Sequence, residues 1–532
     1  MTTRKAFNGK PRRGALYYKL KTAISLVVVA VLSVGASTGV VPKTATLIPA
    51  PREIRATGGE YWERKPPKLE KVAGIPPEGY ELSITTNGIT IRHSDDAGAF
   101  YANITLFHSG RWDAKAKCKV YPCLEIRDWP QFRWRGVHLD DSRRFFGKDA
   151  ILQLLKQMSW FKLNVFHWHL TDDQLWSLEI PGYPELQKYG AEWHLKDQAK
   201  RWRGEKVGTL CYTANDVKEI LAYAKERHIT VVPEIELPGH STAAILAYPE
   251  LYCFPKEIYS KNRDVFTFNG GKLYLGVYCF GNPDTLRFLE KVLDYVCELF
   301  PSEVIHIGGD ECSRRNWQTC PKCQAFIKEK GLKGVEDIQP WVTRHFVEYL
   351  AKKGRRTIGW DEIFMSSAWT KWDDFLKAGG DSFSSLVPKT TMGMCWRTWG
   401  PGALAANRGY EIVRCPGQCC YFDARQGLAE DPHFYFGGTV TTLEKVYRFD
   451  PYEGVEPAAR KNVVGGQCCN WSTHTFCLDG LEWKMWPRGF ALAEVLWTYP
   501  DPAKRDFKEF EARAANYRRR LIGAHVNCAP LK

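Results

Sequence analysis

From about Arg133 onward the chain alternates short apolar runs with amphipathic helical stretches, and that alternation limits it to very few folds. Eight such runs occur: Gly136–Leu139, Asn164–Leu170, Ile229–Ile235, Val304–Ile307, Arg356–Trp360, Thr391–Trp396, Glu411–Cys415 and Val463–Cys469. Each is short enough for a strand. The intervening helices carry their own signals. Asp216–Arg227 places Val217, Ile220, Leu221 and Ala224 on one face with Thr213 as a cap, and Val335–Lys353 ends at Gly354. Eight strand–helix alternations predict an α/β fold, a (β/α)8 TIM barrel spanning residues 126–500, with a helical tail over 501–532.

A smaller unit is expected before the barrel, over residues 37–125. Tyr80–Arg92 reads as two strands around the turn Thr86-Asn87-Gly88, and Asp96–Gly110 as a helix, giving a small α+β module. Residues 1–36 read as a signal peptide. A basic stretch ends at Lys21, the apolar run Ala23–Ala36 follows, and Val34 and Ala36 mark a small-residue cleavage site. An uncleaved anchor is the alternative, although the run is short against the roughly 20 apolar residues of a spanning helix. Either way the reading is of an exported protein, periplasmic or extracellular. No later segment is apolar over such a length.

The formal net charge is +14, and half of it comes from the seven Lys and Arg of residues 1–36. The rest is mildly basic and holds no dense Lys/Arg block, which argues against nucleic acid as a partner. In an exported chain the seventeen cysteines are expected as disulfides or buried thiols, with at least one unpaired because the number is odd. Cys320-Pro-Lys-Cys323, with Cys312 upstream, has the form of half a zinc site, but no second CxxC stands at zinc-finger spacing. No metal and no cofactor is therefore expected. The twenty Trp are open to two readings, core packing and platforms for sugar rings.

A barrel of this kind carries its chemistry at the C-terminal ends of its strands. Polar residues gather there: Asp140, Asp141 and Arg143 after the first strand, Thr171-Asp172-Asp173-Gln174 after the second, and Glu234, Glu236 and His240 around the end of the third. Asp310-Glu311 follow the fourth, Trp360-Asp361-Glu362 the fifth, and Trp396, Arg397 and Trp399 the sixth. Tyr421 and Asp423 follow the seventh and Trp471 the eighth. An ion-pair network would explain one such cluster. Acids, an Arg and Trp at one end of successive strands describe a pocket with proton donors and aromatic walls.

Two catalytic schemes fit these residues. Glycoside cleavage needs an acid beside the leaving oxygen and a second group that stabilises a cation-like transition state. Adjacent Asp310 and Glu311 diverge, so they are poorly placed as nucleophile and acid across one bond. They suit a reaction in which the substrate's own acetamide attacks, held by Asp310, while Glu311 protonates the leaving group. The other scheme, a metal-dependent amidohydrolase, would use His167-Trp-His169, but these histidines sit within the strand rather than beyond it. A glycan-binding barrel without turnover is the non-enzymatic reading, opposed by the presence of both acids.

His169-Leu-Thr-Asp-Asp-Gln174, Pro233-Glu-Ile-Glu-Leu-Pro-Gly-His240 and His306-Ile-Gly-Gly-Asp-Glu311 resemble the signatures of the family 20 glycoside hydrolases, the β-N-acetylhexosaminidases. Asp96–Leu106 is similar to the helix of the small domain that precedes their barrel. The resemblance covers roughly residues 45–500. It implies a retaining, exo-acting enzyme on terminal β-linked N-acetylglucosamine or N-acetylgalactosamine, with glycans as partners. It also implies roles: Glu311 as general acid and base, and Asp310 with Tyr421 on the acetamide. Arg143, Asp172 and Asp423 would bind substrate, Trp360, Trp396 and Trp471 would wall the ring, and His240 would support the acids. One position departs from the pattern. Thr473 stands where the family usually has a Glu that binds sugar hydroxyls, which leaves His474, Asp479 or Glu482 as substitutes.

Overall fold

Every residue of the strands Trp134–Asp140, Val165–His169 and Val463–Asn470 is buried. Polar residues are buried there with the apolar ones, Arg135, His138, His167, His169 and Gln467 among them. The computed structural model describes residues 46–187, 210–255, 276–364, 383–397, 399–428 and 439–531; the proposed signal segment lies outside them.

Six strands come before the barrel: β1 Glu53–Trp62, β2 Lys68–Lys71, β3 Tyr80–Thr85, β4 Gly88–His93, β5 Arg111–Asp113 and β6 Cys118–Asp128. They form one sheet in the order β1-β6-β3-β4-β2, with β5 on the edge of β6. Thr85 pairs with Gly88, so the β3–β4 turn is Thr86-Asn87 and Gly88 already belongs to β4. The helix Asp96–Ser109 is capped by Asp95, whose carboxylate accepts from the Gly98 amide at 2.8 Å. It presses Tyr101, Ala102 and Leu106 into a core with Leu82, Ile84, Ile91 and Ile126.

The barrel strands are β7 Trp134–Asp140, β8 Val165–His169, β9 Thr230–Glu234, β10 Val304–His306, β11 Arg356–Trp360, β12 Met392–Cys395, β13 Ile412–Arg414 and β14 Val463–Asn470. All eight pair in parallel with their sequence neighbours, and β14 closes on β7 from Gly465↔Trp134 to Asn470↔Leu139. The helix Ala214–Lys225 has a capping box: Thr213 Oγ1 accepts from the Asp216 amide, and the Asp216 side chain accepts from the Thr213 amide. It buries Val217, Ile220 and Ala224, while Leu221 is only half-buried. Gly354, at φ 70°, ends the helix Ile338–Lys352 in the left-handed conformation that glycine adopts freely. The last long helix, Phe507–Gly523, puts Phe510, Ala514, Tyr517 and Leu521 into the barrel's own core. Each large apolar side chain so buried contributes about 1.5–3 kcal/mol.

The small sheet joins the barrel through paired charges. Asp128 at the end of β6 accepts from Lys162 Nζ at 3.0 Å, from Tyr80 Oη at 2.7 Å and from Trp497 Nε1 at 2.9 Å. Arg135 donates to Glu78 at 2.6 Å. Of the two expectations for the cysteines the structure takes the second: all seventeen are free thiols, thirteen of them buried. Among the described residues no helix is long and apolar enough to cross a membrane.

Candidate active site

After β10 the chain turns sharply through Gly308 and Gly309, at φ 65° and 103°. A Cβ on Gly308 would stand 1.8 Å from Glu236 Oε2, and one on Gly309 2.3 Å from Ile363 Cγ2. Glycine is thus required here by both conformation and space. Glu311 itself sits at φ 46° and His240, across the gap from β9, at φ 45°. Left-handed backbone at two non-glycine residues of one site is the kind of strain that surrounding structure must hold in place. Beyond the turn the two acids keep one oxygen each within 4.8 Å of one another but differ in exposure. Asp310 is buried, whereas the Glu311 side chain is 36% exposed. Both remain near one imidazole: His240 Nε2 lies 3.7 Å from Asp310 Oδ2 and 3.6 Å from Glu311 Oε2. The other ring nitrogen is 3.3 Å from Asp172 and 3.3 Å from Asp173.

A chain of alternating charges runs through this cluster. Arg143 Nη2 is 2.8 Å from Asp172 Oδ2, and its guanidinium lies 4.9 Å over the Trp471 ring. Asp140 sets the geometry of this corner. Its Oδ1 accepts from the Ser142 and Arg143 amides and its Oδ2 from Ser472, tying the ends of β7 and β14 together. Burial raises the Asp172 carboxyl, but Arg143 and His240 outweigh it and hold the group far below the usual carboxylate range. Burial disfavours charge on His240 too, yet Asp172 and Asp310 raise it well above an ordinary imidazole. Asp310 is pushed up to about 7, by burial first; His240 opposes this, and Glu362, Glu311 and Glu234 add to it. Glu311 is lowered, chiefly by the His240 imidazole 3.6 Å away. Two neighbouring carboxyls with pKa values moved in opposite directions can hold a proton and a charge at once.

Beneath them Glu234 organises the barrel interior. Its Oε1 accepts from Trp360 Nε1 at 2.7 Å, and its Oε2 stands 2.6 Å from His169 Nδ1 and 3.0 Å from His167 Nε2. His169 Nε2 is 2.9 Å from Asp172, and His167 Nδ1 is 3.0 Å from the Gln467 amide. The two strand histidines are therefore engaged inside the barrel. Trp360 is wholly buried, 5.6 Å from the Trp471 ring. Trp396 is fixed by its Nε1 on Glu362 at 3.0 Å and stacks with Tyr421 at 5.9 Å and 18°. Arg397 pairs with the same Glu362 at 2.6 Å. The accessible part of the aromatic wall is thus Trp471, Trp396 and Tyr421. The side chain of Trp399 is outside the described residues.

Asp423 lies on the far side, where burial pushes it up to about 7 against Lys484 and Arg488. Lys484 was not anticipated from sequence. It is a buried lysine whose Nζ donates to His474 O and Thr475 Oγ1, both at 2.9 Å, and so props the loop after β14. Thr473 in that loop is exposed. Of its suggested substitutes, Glu482 does not turn into the pocket. Its oxygens accept from Gln157 and from the Asn527 amide, which commits it to packing. Asp479 is exposed in the first turn of the helix Leu478–Met485. Glu236, buried beside Gly308, has no hydrogen-bond partner for either oxygen among the described residues, and burial raises it well above the carboxylate range.

Two family models match the chain: Glycosyl hydrolase family 20, domain 2, over residues 63–129, and Glycosyl hydrolase family 20, catalytic domain, over residues 132–500. The chain is 36% identical over 452 residues to a beta-hexosaminidase of Porphyromonas gingivalis, covering 83% of this chain and 53% of that protein. It is 35% identical over 421 residues to a beta-hexosaminidase of Vibrio furnissii, covering 78% and 64%. The chain thus spans between half and two thirds of these curated relatives. A beta-N-acetylhexosaminidase from Bacteroides fragilis superposes with a TM-score of 0.73 at 27% identity, covering 91% of this chain and 97% of that one. The exo beta-N-acetylglucosaminidase of Vibrio harveyi, solved with N-acetylglucosamine, superposes with a TM-score of 0.78 at 24% identity, covering 93% and 80%, a likeness of fold.

Proposed function

The chain belongs to glycosyl hydrolase family 20, and on that premise we propose that it is an exo-acting, retaining β-N-acetylhexosaminidase that works by substrate assistance. The observation that carries this is the pairing of a buried Asp310 with a partly exposed Glu311 after a double-glycine turn, with one His240 nitrogen 3.7 Å and 3.6 Å from them. The buried acid faces the pocket interior, where a 2-acetamido group would lie. The partly exposed acid faces the mouth, where an aglycone would leave.

The terminal sugar rests against Trp471, with Trp396 and Tyr421 beside it and Trp360 behind; its hydroxyls meet Asp423 and Arg143, which the buried Asp172 holds in place. Ionised Asp310 orients the acetamide N–H, while the Tyr421 hydroxyl donates to its oxygen. The acetamide oxygen attacks the anomeric carbon as Glu311 gives its proton to the leaving oxygen, producing an oxazoline-type intermediate. Glu311 then takes a proton from water, which opens the ring and returns the original anomer. In the ligand-free site Glu311 is the more acidic of the pair. A bound sugar strips water from Glu311, and desolvation raises a carboxyl, which prepares it as the acid. The glycan partners are N-acetylglucosaminides and N-acetylgalactosaminides, reached outside the cell after loss of residues 1–36. Intact-mass analysis of material from the native host tests that loss, and a full-length membrane-bound species would contradict it.

The mechanism is tested by removing the internal nucleophile. An aryl β-N-acetylglucosaminide should turn over with retention by NMR, and the matching aryl glucoside should not turn over appreciably. A cyclic thiazoline mimic should bind far more tightly than the free sugar. Efficient glucoside cleavage, or an inverted product, would exclude the mechanism.

A further inference from the structure

Four cysteines outside the pocket converge on one point. Cys253 follows the short turn Pro249–Leu251, Cys279 precedes the helix Pro283–Leu299, and Cys320 and Cys323 open the helix Pro321–Glu329, Cys320 as its cap. Their sulfurs stand 3.8 Å (Cys253–Cys323), 3.8 Å (Cys279–Cys320) and 3.7 Å (Cys279–Cys323) apart, and all four lie within 4.8 Å of one another. A disulfide requires about 2.05 Å, and all four are free thiols. Four thiolates at about 2.3 Å from a tetrahedral zinc have edges of about 3.8 Å. We propose that Cys253, Cys279, Cys320 and Cys323 form a closed structural zinc site.

The chemistry of the donor set supports this. All four residues are buried. Beyond one another, the hydrogen-bond partner of these sulfurs among the described residues is the Cys253 carbonyl, 3.8 Å from Cys320 Sγ. Thiols are weak donors and weak acceptors, so packing four of them together gains little by itself. A soft-ligand divalent cation converts the cluster into four strong bonds. The backbone is shaped for a tight approach. A Cβ on Gly281 would stand 2.1 Å from the Lys322 carbonyl carbon and 2.4 Å from the Cys323 amide nitrogen, so the segment after Cys279 presses directly on the Cys320–Cys323 turn. The Trp317 indole donates to Tyr278 O at 2.8 Å, a second clasp between the same two segments.

Cys253 and Cys279 belong to the connection after β9, which carries His240. Cys320 and Cys323 belong to the connection after β10, which carries Asp310 and Glu311. Zinc here staples the two catalytic loops behind the pocket without reaching substrate. Four protein ligands leave no open position, which is the mark of a structural rather than a catalytic site. The half-motif Cys320-Pro-Lys-Cys323 is completed by two distant single cysteines rather than by another CxxC, and Cys312 is not a member.

Elemental analysis of the purified full-length chain tests this directly. One zinc per chain is expected from a four-cysteine site, lost in Cys320→Ser/Cys323→Ser and kept in Cys312→Ser. Stripping the wild-type protein with a chelator should lower Tm, and Zn²⁺ but not Mg²⁺ should restore it. Because the double variant can fail to fold, the wild-type metal content decides. Protein produced with ample zinc that carries none, one iron in its place, or a disulfide among the four in a non-reducing peptide map would each overturn the proposal.

Discussion

The seam between the small sheet and the barrel and the pocket at the far ends of the barrel strands both bury charge, but they treat it differently. At the seam Asp128 meets Lys162, Tyr80 and Trp497, and Arg135 meets Glu78. In the pocket Asp310 Oδ1, Asp423 Oδ1 and both Glu236 oxygens are buried without a hydrogen-bond partner among the described residues. Buried polar atoms without partners are costly, and Asp310 and Asp423 rise to about 7 as a result. A seam whose charges are paired serves stability. A pocket that leaves carboxyls unpaired is set to receive polar groups from a ligand.

This contrast makes separable predictions. The largest effect belongs to the seam. Asp128→Asn strands the buried Lys162 ammonium, and breaking a buried pair costs about 3–5 kcal/mol. Denaturant unfolding should show that loss, with kcat of the folded protein unchanged. A stability loss under about 1 kcal/mol would mean that water or Tyr80 already carries the charge.

Thr473→Glu should act the other way, on the pocket alone. Thr473 is exposed two residues after Trp471, and Glu482 is committed to Gln157 and Asn527. A restored charged acceptor for sugar hydroxyls is worth about 1.5–3 kcal/mol, roughly ten- to a hundredfold in kcat/KM. Discrimination between gluco and galacto epimers should sharpen with it. Unchanged or reduced activity would show that the pocket has compensated, with His474 the nearest candidate.

His240→Gln should shift pH dependence more than magnitude. His240 holds Glu311 down and opposes the rise of Asp310. Without its charge both carboxyls titrate at higher pH, so the acid limb of kcat/KM, where Asp310 loses its charge, should move upward. An unmoved limb would separate His240 from the pair.

The seam and the pocket also differ in how far the sequence reveals them. The barrel strands are legible because short runs rich in apolar residues alternate eight times with helical stretches, and the ends of those runs point to Asp310, Glu311, Arg143 and His240. Asp128 and Lys162 carry no such mark. Each is a lone charge in ordinary context, and only the packing of β6 against the loop before β8 pairs them. Lys484 is hidden for the same reason, as one lysine on a mixed helix. The cysteine cluster is half legible: Cys320 and Cys323 are local, but Cys253 and Cys279 lie far upstream and meet them only through the barrel's loops. His167 and His169 invite a metal reading from sequence, and the structure adds Glu234, from the next strand, with one oxygen 3.0 Å and 2.6 Å from a nitrogen of each.

The central claim is that Glu311 gives the proton and the acetamide makes the bond. It is tested most directly by Glu311→Gln assayed on two N-acetylglucosaminides that differ only in their leaving group. With a poor leaving group, turnover should fall by at least ~10²-fold, the scale of a lost general acid. With a very good leaving group the loss should be much smaller, because departure then needs little protonation. Equal losses on both substrates, or near-normal activity on the poor one, would contradict the account.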